Sequence, residues 1–108
     1  MTATFSRHCS IDRANRIDHI LREIGLGQLA CERYTTNQAG RGKYLCLTDT
    51  GIMIVKSADK LKIVTVYVAT MKDVVYVYDG HKNIPQRLKK IVIENTQKYI
   101  REGKTIWS

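Results

Sequence analysis

Acidic residues are scarce in this chain. Ten Asp and Glu stand against eighteen Lys and Arg in 108 residues, a formal net charge of +8 and a pI near 9.6. Such an imbalance makes nucleic acid the first partner to consider, although solvated lysines on a small basic protein account for the charge equally well. Cysteines are few: Cys9, Cys31 and Cys46 are odd in number and form no C-x-x-C pair. That excludes a disulfide framework and a zinc ribbon, so reduced thiols are expected, with Cys31 and Cys46 packed in strands. No stretch approaches the ~20 apolar residues of a membrane span, and M-T-A-T-F-S-R-H has no signal-peptide run. A soluble, cytoplasmic protein with no membrane partner is therefore expected.

The usual chemical signatures are missing too. No H-E-x-x-H, EF-hand, Walker or serine-nucleophile motif occurs, and Asp12, Asp18 and Glu23 have no metal-ligand spacing. No cofactor is expected, and metal-independent chemistry is favoured over metal-dependent nuclease chemistry. Internal repeats and low-complexity segments are also lacking. What remains is ordinary globular composition, 44% apolar and 26% charged, in a length that fits a single domain over residues 1–108.

Ser10 can cap a helix over residues 11–24 in which Ile17, Ile20, Leu21 and Ile24 recur at helical spacing and Gly25 supplies the stop. Leu29–Thr36 has strand character, and N-Q-A-G-R-G-K (37–43) reads as a loop. The runs Tyr44–Thr48, Ile52–Lys56, Leu61–Ala69 and Val74–Tyr78 are rich in Val, Ile and Tyr and are separated by D-T-G, S-A-D-K and T-M-K-D, which read as turns. Connections this short cannot carry crossover helices, so an antiparallel meander follows. Pro85 opens a second helix to Arg101, with Leu88, Ile91, Val92, Asn95 and Tyr99 on one face. The fold class is α+β: an N-terminal helix, an antiparallel β-meander of about four to five strands and a C-terminal helix, with the helices on one face of the sheet.

Arg13 falls on the same stripe as Ile17, Ile20 and Ile24, aimed at the sheet, and Arg16 lies about 60° to one side. A guanidinium at a core rim needs acceptors, from a structural carboxylate or a ligand phosphate, unless it snorkels past the stripe. His8 precedes the helix, and an imidazole suits proton transfer near neutral pH. On K-I-V-T-V-Y-V-A, alternation sends Val64, Val66 and Val68 to one face, the natural floor for the helices. Ile63, Thr65 and Tyr67 go to the other, where a hydroxyl and a phenol can bind phosphate or stack a base. Two further basic groups, Arg41 with Lys43 and Lys82 with Arg87, Lys89 and Lys90, can touch a phosphate backbone or form solvated faces.

S-R-H followed by a basic helix, a tyrosine-bearing strand, a Gly/Arg loop and I-V-T-V-Y resembles small toxin-like domains of the barnase/EndoU/colicin/RelE-like ribonuclease superfamily over roughly residues 6–69. In that comparison His8 takes the place of the family histidine, Arg16 that of the later helix arginine, and Thr65 and Tyr67 those of the terminal strand. The family's first arginine commonly stands four residues after the histidine, whereas Arg13 stands five after His8. The resemblance implies a metal-independent endoribonuclease of toxin or phage-effector type, acting on RNA rather than DNA and leaving a 2′,3′-cyclic phosphate. A neutralising or regulatory protein partner and a homodimer are compatible with it. The alternative is a non-catalytic nucleic-acid- or protein-binding regulatory module of phage type using the same basic face.

Overall fold

The computed structural model describes residues 4–5 and 18–101. The expected start of the first helix, from Ser10 to Ile17, lies outside the described residues. From residue 18 to 23 the chain is helical (α1). Gly25 ends this helix at φ +84°, a left-handed conformation that costs a glycine little. As the isoleucine spacing requires, Ile20 is buried, with Leu21 and Ile24 packed beside it.

Five strands follow the order β1-β5-β4-β3-β2 in one sheet. Strands β2 (Leu29–Thr36), β3 (Gly42–Thr48), β4 (Ile52–Ser57) and β5 (Lys62–Val68) form the expected antiparallel meander. At its far edge the two-residue β1 (Thr4–Phe5) lies parallel to β5, with Thr4 opposite Lys62 and Phe5 opposite Ile63.

Val74–Tyr78 is not a strand. It lies within α2 (Met71–Tyr78), and α3 (Gln86–Arg101) occupies the expected C-terminal helix. Both ends of α2 are built from side chains that read as turn formers. The Thr70 hydroxyl accepts from the Asp73 backbone N–H and the Asp73 carboxylate accepts from the Thr70 N–H, a reciprocal capping box. Asp79 closes the helix in the left-handed region at φ 56°. Arg33 of β2 donates from Nη1 to the Tyr76 carbonyl at 2.7 Å, which also accepts from the Asp79 backbone N–H at 3.2 Å.

The helices do not share one face of the sheet. Ile20 of α1 packs with Ile52, Val66 and Val68 on one side. On the other, Val74 and Val77 of α2, and Leu88 and Val92 of α3, bury Leu47, Met53 and Val55. The turn joining β3 to β4 ties these layers together. Thr50 donates from its hydroxyl to the Gly25 carbonyl at 2.8 Å, and the Thr50 carbonyl accepts from Asn95 Nδ2 of α3 at 2.9 Å.

A β-bulge decides which side chains join which layer. Val55 lies opposite Thr65 and Lys56 opposite Ile63, so Val64 is an extra residue in β5. Simple alternation therefore fails at that point. Ile63 joins the α1 side with Val66 and Val68, and Val64 packs on the α2 side with Tyr67.

Candidate functional site

Thr65 and Tyr67 lie on one face, as alternation requires, but it is the face roofed by α2 and α3 rather than an open one. Thr65 sits opposite Val55 and is only 7% exposed. Its Oγ1 is buried and makes no hydrogen bond. A hydroxyl in that state loses its water without gaining a partner, a cost of about 1–3 kcal/mol that native structures seldom leave unexplained. Tyr67, opposite Met53, is half-buried. Burial, with a smaller contribution from the nearby Asp73 carboxylate, pushes its phenol up to about 12. At neutral pH Tyr67 is thus a neutral hydrogen-bond donor rather than a base.

A cleft of ≈ 370 Å³ opens between α2 and the sheet, floored by Leu45 and by Met53, the partner of Tyr67, and rimmed by Lys72, Asp73 and Tyr76; Thr65 and Tyr67 do not line it. Asp73 is largely spoken for, since its Oδ2 accepts from both the N–H and the hydroxyl of Thr70. Tyr76 is held by Arg33, whose guanidinium lies 4.4 Å from its ring centroid, and by Thr35, whose hydroxyl is 3.0 Å from its own. The rim is therefore pre-positioned by β2.

His8, Arg13 and Arg16 lie outside the described residues. The described chain does, however, bring Phe5, three residues before His8, against Ile63, two residues before Thr65. The described helix α1 packs on the opposite face of the sheet from Thr65. β1 thus borders the Thr65 strand along its edge, whereas α1 covers that strand's opposite face at Val66 and Val68.

The two basic groups do not merge into one surface. Arg41 is exposed in the loop between β2 and β3, and Lys43 follows on β3. Arg87 lines a cleft with Ala30, Asp49 and Pro85 at the other end of β2, an eight-residue strand that spans roughly 20 Å. Lys82 and Lys90 are exposed near that second end and Lys89 is half-buried. Among the described residues no cluster of His, Cys, Asp and Glu could hold a metal ion, and no helix is long and apolar enough to cross a membrane. Cys31 and Cys46 are unpaired thiols, half-buried in β2 and buried in β3.

Sequence reasoning passed over Tyr34, Tyr44, Lys56 and Lys60. Tyr34, Tyr44 and Lys56 fall in R-Y-T-T, K-Y-L-C and I-V-K-S, but only the strand register shows that they adjoin, and Lys60 reaches Tyr44 from the β4–β5 turn. Comparison with known protein families, with curated proteins and with solved structures finds no match to this chain.

Proposed function

We propose that this chain is a metal-independent endoribonuclease of the toxin or phage-effector kind, in keeping with its resemblance to barnase/EndoU/colicin/RelE-like domains. The observation that carries this reading is the parallel pairing of β1 with β5, which sets Phe5 opposite Ile63 on the strand bearing Thr65 and Tyr67. In the proposed reaction His8 takes the proton of a ribose 2′-hydroxyl. The 2′-oxygen attacks phosphorus, and the bond to the 5′-oxygen breaks as a proton is returned to that oxygen. One product carries a 2′,3′-cyclic phosphate and the other a 5′-hydroxyl. Arg13 or Arg16 offsets the charge on the pentacoordinate phosphorus, and Lys43 contributes to the same field. Tyr67, half-buried and protonated at neutral pH, orients a phosphate oxygen as a donor; the resemblance gives Thr65 the same role, although its hydroxyl is buried beneath α2.

The test is incubation of the purified chain with free RNA, transfer RNA and ribosome-bound message, with end-group analysis of the fragments. His8→Ala should cut at least 100-fold more slowly, the lower bound for loss of a general base. Absence of cutting by the parent chain on all three substrates, or His8→Ala cutting as fast as the parent, would overturn the reading. A second reading is a non-catalytic nucleic-acid-binding regulator that draws on the net charge of +8. It requires salt-sensitive RNA binding without turnover, weakened in small steps by many Lys and Arg substitutions.

A further inference from the structure

On the α1 side of the sheet, Ile20 covers only the end where Ile52, Val66 and Val68 lie. The remainder of that face has its own composition. Strand register sets Tyr34 of β2 opposite Tyr44 of β3 and Tyr44 opposite Lys56 of β4, a single row across three strands. Tyr34 is 48% exposed although it sits in the sheet. Its ring meets Tyr44 edge-on at 5.0 Å and 61°, and its phenol lies over Gly42, where any Cβ would collide with it. The ring is thus braced on two sides while half of the side chain stays in water.

Charge beside this row is of one sign in effect. Among the described residues the acid on this face of β2 is Glu32, and Lys60 meets that carboxylate at 3.0 Å, holding it below the usual carboxylate range. Lys60 also stands 4.3 Å from the Tyr44 ring centroid. Lys56 on the row and Arg41 in the adjoining loop make no side-chain ion pair among the described residues.

We infer that the Tyr34–Tyr44–Lys56 row is a binding platform for single-stranded RNA, a base stacking on Tyr34 while Lys56 and Arg41 meet the flanking phosphates. The partner is identified by charge complementarity combined with a flat aromatic anchor: repeated anions alternating with π-faces are the chemistry of a nucleic-acid strand. Single strands are required because a duplex keeps its base faces stacked inside. A plainer account, that tyrosines are good strand formers on a half-exposed sheet, explains their presence. It does not explain the pairing of a braced, exposed ring with two cations, Lys56 and Arg41, that make no ion pair among the described residues. The platform rests on the proposed function for RNA as the partner, but it lies on the opposite face of the sheet from Thr65. Binding and cleavage can therefore be measured apart.

The experiment is a fluorescence-anisotropy titration of a labelled 12-nucleotide single-stranded RNA, and of its duplex, with the full chain at several salt concentrations. Tyr34→Ala should weaken single-strand binding about tenfold, and Tyr34→Phe should leave it within about twofold of the parent. Lys56→Ala should lower the slope of log affinity against log salt by about 0.7, the loss of one phosphate contact. Lys98→Ala, on exposed α3 surface, should bind as the parent does at moderate salt. Tyr34→Ala binding like the parent, a duplex binding as tightly as the single strand, or no binding by the parent at all would each overturn the platform. Binding with these effects but without cleavage would support the platform and overturn the ribonuclease. Cleavage by a chain whose Tyr34→Ala variant binds normally would do the reverse.

Discussion

Replacing Thr65 by valine removes a hydroxyl and keeps the shape of a β-branched strand residue, so the substitution isolates one oxygen. In the folded chain that oxygen is buried opposite Val55 and has no hydrogen-bond partner. In the unfolded chain it is hydrated. Folding therefore costs about 1–3 kcal/mol at this atom, and Thr65→Val should recover most of it, because a methyl in the same place is content among Val55 and Val64. In a domain near this size each 1 kcal/mol moves the melting temperature by about 4–8 °C. The assay is urea unfolding of parent and variant, read as a rise in midpoint at constant m.

Thr65→Ser supplies the converse. It keeps the hydroxyl and drops one methyl group, at about 0.8 kcal/mol or more of lost stability, and it should preserve any role of the oxygen in cleavage. Thr65→Val, stabilised, should cleave poorly if the hydroxyl orients phosphate. A fall in stability in Thr65→Val would show that the oxygen has a partner in solution and would refute the reasoning. Full cleavage activity in a stabilised Thr65→Val would refute its role in the site while leaving the stability argument intact. Most substitutions in a core destabilise, so a gain here is a result that generic damage cannot imitate.

The same face carries a pH signature. Tyr67 keeps its proton to about 12 when folded, whereas the unfolded phenol loses it near 10. Between those values the native state holds the extra proton, so stability is intact below pH 10 and falls as pH rises through about 12, by roughly 2–3 kcal/mol in total. Unfolding midpoints measured from pH 9 to 12 should show this decline in the parent and a shallower one in Tyr67→Phe; equal slopes would refute it. Gly51→Ala should destabilise by about 1–3 kcal/mol, because φ is +85° there and the new Cβ would stand 2.9 Å from Asn95 Nδ2. Denaturant midpoints check this, and a neutral result would mean that α3 does not sit against the β3–β4 turn.

How far the fold could be read from sequence differs element by element. The meander was legible because each of Leu29–Thr36, Tyr44–Thr48 and Ile52–Lys56 is bounded by its own turn residues, and the observed strands keep those bounds within two residues. Val74–Tyr78 was misread because V-V-Y-V-Y has the composition of a strand. The information that overrides composition was present at both ends of the segment. Thr70 and Asp73 have the spacing of a capping box, Asp79 and Gly80 form a helix stop, and Val74 and Val77 are three apart, one helical step on the buried side. Propensity is a weak local preference, and here the caps together with burial against Leu47 and Met53 outweigh it.

The candidate site was less legible because two features that shape it leave no trace in local pattern. Period-2 alternation cannot register an extra residue, so Val64 silently moves Ile63 to the other side of the sheet. That shift matters to the function proposed here. It separates Ile63 from Thr65 and Tyr67, which keep regular register opposite Val55 and Met53 against α2, where the hydroxyl is unpaired and the phenol is kept neutral by burial. The second feature is the parallel pairing of Thr4–Phe5 with β5, since two residues are too few to show strand periodicity in sequence. It joins β5 at Lys62 and Ile63, immediately ahead of the bulge. Bulges are over-represented at sheet edges and beside active sites, where they re-aim side chains. Thr4–Phe5 thus joins β5 two residues ahead of Thr65. That is where a base and its phosphate-orienting partner would have to converge, and the difference in cleavage between His8→Ala and Thr65→Val is the measure of whether they do.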